Sequence, residues 1–458
     1  SGKPCLDIAV LGHEDSGKSS VVGQLLLSAG EVDDETWDFI TNVGSTSFDL
    51  FQSAELIPNT PPPPLPPPPR KSCQGSGKDY AQLAWICDTL EDERENDCST
   101  NITIRTFETS NYQVVLTDLP GHRKYVKSAV VGLCAAECAL IVVPVDEDEF
   151  TVNFAKAGQL REHCLLAHTL GVTSVIVAIN KMDTCGWSQD SFDQIEHEME
   201  RFLKGIGFRD DALTIVPISA MQKENINTAA ETASWYHGPT LIEAIDSVKR
   251  SKPVRRLGSS TSLRVAIQDV RQVPSAGKVA IARVISGTLS LGMSVTVFPT
   301  EDTFEIYSLE SFGQAIDQAL PGMIVAFTPS DDSLALRRGH IISAAEEPAV
   351  GCQSFVALFF SSHPGKIHNG YTPTVHCGTA RVPCRFELLQ TVNPRNGRIE
   401  EEDPEDVPRE GAAIVKMVPQ KPMYVDSRQE SPVFSRLVIR DNGRTVGTGG
   451  VKSVERAE

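Results

Sequence analysis

The chain has 458 residues, 40% of them hydrophobic and 22% charged, with a net charge of −18. That length holds roughly two to four domains, and the composition excludes wholesale disorder. The acidity excludes a global basic coat, so any nucleic-acid contact must be local.

The nearest approach to a membrane span is residues 132–145, interrupted by Glu137. It is too short for a bilayer, which needs about 20 apolar residues. The first residues carry no apolar signal region, and the eleven cysteines contain no C-x-x-C pair. A cytoplasmic protein with reduced thiols and no membrane insertion is expected. Cys134 and Cys138 read as four apart on one helix beside alanines, and core packing is expected of them rather than redox chemistry.

The first 250 residues alternate strand and helix patterns. Strands are predicted over 6–11, 112–117, 139–145, 174–179 and 213–218, and helices over 19–27, 155–170 and 191–203. This alternation predicts an α/β domain over 1–250 with a mostly parallel sheet covered on both faces. Residues 30–79 break the pattern, and 58–69 read PNTPPPPLPPPP. Proline lacks an amide hydrogen and fixes φ, so this insert (about 57–72) must be polyproline II or disordered. It reads either as a flexible surface segment or as a ligand for an aromatic-grooved proline-binding module. From residue 251 the pattern changes to short strands over 263–270, 279–284, 294–298, 355–360, 411–418 and 436–439. With no long helical period, two small β-barrels are predicted, 259–344 and 349–458. The acidic run 399–406 reads as a solvated loop.

Four motifs carry chemistry. GHEDSGKSS, comprising Gly12, His13, Glu14, Asp15, Ser16, Gly17, Lys18, Ser19 and Ser20, fits G-x-x-x-x-G-K-[ST] between a strand and a helix. Its backbone amides would curl around phosphate at a helix N-terminus, Lys18 would reach the β and γ phosphates, and Ser19 would ligate Mg²⁺. Residues 75–78 (GSGK) lack the Ser/Thr and a preceding strand, and are a decoy. Asp118-Leu-Pro-Gly121 follows the strand 112–117, which suits an acid behind Mg²⁺ followed by a mobile γ-phosphate sensor. Asn180-Lys181-Met-Asp183 follows the strand 174–179. The Asp183 carboxylate can accept from both N1–H and the exocyclic amine of guanine, a donor pair that adenine lacks. Ser219 and Ala220, after the strand 213–218, would support the same base through a backbone amide. All stand at strand C-terminal edges, where α/β sheets bind ligands.

On these motifs, and on GQLREHCLLAHTLGV, WYHGPTLIEAID, HPGKIHNGYTP and MVPQKPMYV, the chain resembles the translational GTPases of the elongation factor 1-alpha type over nearly its whole length. The resemblance implies a P-loop GTPase domain followed by two β-barrels, a GTP/GDP cycle with Mg²⁺, delivery of aminoacyl-tRNA or a tRNA-like protein to the ribosome, and a guanine nucleotide exchange factor. It implies that Lys18, Ser19, Asp118, Asn180 and Asp183 hold nucleotide and Mg²⁺. It places Asp15 at a monovalent-cation position, His122 as the histidine that orients the attacking water, and Ser99 as the Mg²⁺-sensing position of switch I.

Departures from the family are as informative. Glu14 and Cys98 stand where the family has the valine and isoleucine of an apolar gate beside the catalytic histidine, so GTP hydrolysis is expected to be slow. Ile285 and Met323-Ile324 stand where the family has polar residues around the aminoacyl end, near Glu310 and Phe312. A second reading follows from the same departures: a paralogue outside elongation, binding GTP as a scaffold or cytoskeletal interaction protein.

Overall fold

In the computed structural model of the chain, the described residues are 3–30, 83, 103–121, 130, 132–133, 136–155, 158–249, 262–273, 277–311, 314–393, 398–409 and 411–457. They fall into two compact units, one on each side of residue 254. The expectations for the proline insert, His122, Ser99, Cys98, Cys134 and Phe312 lie outside the described residues.

The first unit is built on a six-stranded sheet. Its strands are β1 (Cys5–Gly12), β2 (Thr103–Glu108), β3 (Gln113–Asp118), β4 (Cys138–Pro144), β5 (Ser174–Asn180) and β6 (Leu213–Pro217), in the spatial order β2-β3-β1-β4-β5-β6. All neighbours are parallel except β2 and β3. Every residue of β4 and β5 is buried, the continuous apolar reading of parallel strands covered on both faces. The flanking helices are α1 (Lys18–Ala29), α2 (Glu147–Phe154), α3 (Gln159–Leu170), α4 (Gln189–Ile206) and α5 (Leu241–Asp246). On α4 the buried residues Phe192, Ile195, Met199 and Leu203 recur at helical spacing and form one apolar stripe. On α5 Thr240 and Glu243 close a capping box.

Three expectations need correction here. The predicted helix 155–170 begins later, at Gln159, because Gly158 is extended, and a separate helix, Glu147–Phe154, which was not foreseen, precedes it and ends at Ala155. Cys138 is not helical: it opens β4 fully buried, and burial pushes its thiol up to about 12, which leaves it inert at neutral pH. Strand β2 was not foreseen. Its residues TIRTFE alternate buried and half-exposed positions but carry an arginine and a glutamate.

The second unit contains two closed six-stranded barrels. In the first, Ser294–Phe298, Ile341–Ala344, Arg264–Val273, Gly277–Ser286, Ile324–Pro329 and Thr303–Ser311 follow one another, and the last pairs back on the first. In the second the order is Thr374–Cys377, Arg436–Asp441, Arg444–Arg456, Cys352–Ser361, Ala412–Pro419 and Ala380–Val392, closed in the same way. Closure removes sheet edges. The acidic run is only partly a loop: its first half, Ile399–Glu402, is a strand paired with Ala380–Val392, while all four residues stay exposed as expected. Ile285 is half-buried and packs against a cluster made mostly of second-barrel residues, and Ile324 is only 6% exposed. Among the described residues no helix is long and apolar enough to cross a membrane.

Candidate nucleotide-binding site

Strand β1 ends at Gly12 and α1 begins at Lys18, so the intervening residues must reverse the chain within five positions. The turn is held by one carbonyl. His13 O accepts from Ser16 Oγ at 2.8 Å and from Lys18 Nζ at 2.7 Å. Asp15, exposed, adopts φ +63°, and Gly17 adopts φ +86°. A Cβ on Gly17 would stand 2.5 Å from Asn180 Nδ2, so only glycine allows both this backbone and this approach. Lys18 is buried, whereas His13, Glu14, Ser19 and Ser20 are half-buried. The first amides of α1 face this turn with the positive end of the helix dipole.

Asp118 closes β3, opposite Val10 of β1 in the parallel register, and is buried. Ser19 Oγ donates to its Oδ2 at 2.8 Å. A hydroxyl and a carboxylate thus meet beside the phosphate-binding turn, the hard oxygen set that Mg²⁺ takes when phosphates supply further ligands. Among the described residues no cluster of three His, Cys, Asp or Glu side chains that could hold a metal is present. Gly121 lies directly on the P-loop: a Cβ there would collide with Lys18 Nζ and stand 2.8 Å from Glu14 N. Gln159 of α3 donates to the Gly121 carbonyl. Glu14 therefore flanks the residue that precedes His122.

At the other end, Asn180 joins three loops. Its Nδ2 donates to Ser16 O at 3.1 Å, and its Oδ1 accepts from Ala220 N at 3.1 Å. Ser219 Oγ donates to Asp183 Oδ1 at 2.6 Å, and Gln222 N donates to Ser219 Oγ at 3.1 Å. Asp183 sits in a short 3₁₀ turn, Met182–Cys185, after Lys181 at φ +67°. Its carboxylate is thereby oriented and half-buried, ready to take a paired donor edge. The Ala220 amide, expected to face the base, is used here by Asn180. Sequence reasoning missed Glu149, which holds Lys181 Nζ at 3.1 Å. The signal was Asp146 followed by three acidic residues, a helix start. It also assigned no role to Gln159.

The site and sheet define a P-loop GTPase with the guanine motif in place, and the barrels that follow define the translational class. The family model for the elongation factor Tu GTP binding domain matches residues 3–251, and that for the GTP-eEF1A C-terminal domain-like family matches residues 355–452. Elongation factor 1-alpha of Aspergillus oryzae is 36% identical over 470 residues, covering 99% of this chain and 95% of the relative. Elongation factor 1-alpha-B of Schizosaccharomyces pombe is 35% identical over 467 residues, covering 98% and 94%. The chain belongs to the elongation factor 1-alpha family, as a divergent member. Its fold also resembles the S. cerevisiae Ski7 GTPase-like domain bound to GDP and inorganic phosphate, with TM-score 0.71, 16% identity, and 98% and 97% coverage. Elongation factor SelB of Methanococcus maripaludis shares the fold with TM-score 0.64, 15% identity, and 99% and 80% coverage.

Proposed function

We propose that this protein binds GTP and GDP with Mg²⁺, hydrolyses GTP slowly, and in its GTP form delivers aminoacyl-tRNA or a tRNA-like protein to the ribosome. An exchange factor would reload it. The observation that supports guanine binding most is the hydrogen-bonded link from Ser16 through Asn180 to Ala220, with Asp183 oriented by Ser219. It joins the phosphate-binding turn to the base-binding loop, so one ligand can engage both.

Each residue then has a task. Lys18 binds the β and γ phosphates, and Ser19, backed by Asp118, holds Mg²⁺. The ion, when bound, neutralises charge developing on the transferred phosphoryl oxygens. Asp183 reads the guanine edge. Gly121 senses the γ-phosphate, and His122, by resemblance, orients the attacking water. Glu14 brings a carboxylate to this end. Next to the triphosphate a carboxylate is costly unless paired, and the partner that the resemblance would offer is the imidazole of His122. Pairing would hold the imidazole from the phosphate, and each tenfold of rate lost needs only about 1.4 kcal/mol.

Co-sedimentation with ribosomes tests the delivery step. The protein with a non-hydrolysable GTP analogue and aminoacyl-tRNA should pellet with ribosomes, and the GDP form should not. Equal sedimentation in both states, or none in either, removes the delivery reading and leaves the nucleotide reading standing.

A further inference from the structure

Lys181 is a long side chain held in the left-handed region, at φ +67° and ψ 27°. Such a backbone is unfavourable for a residue with a Cβ and persists only where its surroundings fix it. It lies between Asn180 and Asp183, so its conformation sets the angle between the group that ties the loops and the group that reads the base. One contact fixes its side chain. Lys181 Nζ lies 3.1 Å from Glu149 Oε2 and 3.4 Å from Oε1, with the two side chains 32% and 27% exposed.

Glu149 is itself anchored. Asp146 Oδ1 accepts from Glu149 N at 2.8 Å, and Asn153 Nδ2 donates to Glu149 O at 2.8 Å. Glu147 Oε1 accepts from Gln194 Nε2 of α4 at 2.9 Å. Just before the helix, Val145 N donates to Asn180 O at 2.9 Å. The segment from Val145 to Glu149 thus grips the guanine loop twice, by backbone at Asn180 and by charge at Lys181. An isolated exposed pair often contributes nothing. Here both ends are held, so ordering them costs less entropy.

We propose that Glu149 is a positioning residue of the guanine pocket: it anchors the Lys181 ammonium and so keeps Asn180 and Asp183 in their binding arrangement. This rests on the guanine-nucleotide reading above. It acts through Lys181, so its effect must vanish when Lys181 cannot be charged.

The test is stopped-flow release of a fluorescent N-methylanthraniloyl GDP from the full chain with Mg²⁺. Glu149→Gln should release it about threefold faster at low salt, the size of a partly screened ion pair. Added salt should speed the wild type towards the variant. In a Lys181→Met background, Glu149→Gln should add nothing. A wild-type rate for Glu149→Gln, or the same threefold gain in the Lys181→Met background, overturns the proposal. A wild type that does not bind the probe at all overturns instead the guanine reading on which it stands.

Discussion

The two ends of the nucleotide site differ in how closely they keep to their family. At the base end, the residues that the resemblance assigns to guanine are held in two neighbouring pairs, Ala220 N with Asn180 Oδ1 and Ser219 Oγ with Asp183 Oδ1. At the phosphate end, Ser19 meets Asp118 and the backbone of Glu14 lies beside Gly121, and Glu14 stands where the resemblance leads one to expect a valine. Recognition of a nucleotide and its turnover depend on different side chains, even within one P-loop. Change at the second need not disturb the first.

The sharpest way to break this comparison is Gly17→Ala. It forces a Cβ into a left-handed position and against Asn180 Nδ2, so strain falls on both ends together. Strain of about 3 kcal/mol would weaken GDP about a hundredfold, read by fluorescence titration. Unchanged affinity would show that the two loops are not joined as described. Glu14→Val should act on turnover alone, raising single-turnover GTP hydrolysis about tenfold, a barrier change of about 1.4 kcal/mol, with GDP affinity unmoved. A slower variant would make Glu14 catalytic and reverse its assigned role. Asp183→Asn should act on recognition alone. An unmatched donor in the pocket costs roughly 1–3 kcal/mol, so GTP should weaken at least about fivefold while xanthosine nucleotides improve. Smallest of all, deletion of residues 57–72 should leave GDP affinity within about threefold, since proline's missing donors keep that stretch out of a sheet. A larger loss would tie the insert to the site.

Much of this was legible because each motif follows an apolar strand, and the one before Asn180 is buried along its whole length. Residues 175–179 are continuously apolar, and Asn180 and Asp183 come just after, so strand and site announced each other. The barrels were legible as a class but not strand by strand. In Thr303–Ser311 a bulge between Ile306 and Ser308 interrupts the alternation, so that Phe304, Ile306 and Leu309 are buried at unequal spacing. In Arg444–Arg456, glycines and charges conceal a strand that its neighbours complete. Long-range contacts were not legible at all: that Glu149 would reach Lys181 depends on packing that one-dimensional periodicity does not carry.

Competition at the wild-type site measures the central claim directly. A fluorescent GDP bound to the full chain with Mg²⁺ is chased with GDP, GTP, ADP or ATP. The arrangement of Asp183, held by Ser219 at 2.6 Å, predicts displacement by both guanine nucleotides and essentially none by the adenine pair at the same concentrations. Equal displacement by ATP and GTP would contradict it, since a pocket that reads the guanine edge cannot accept adenine as well.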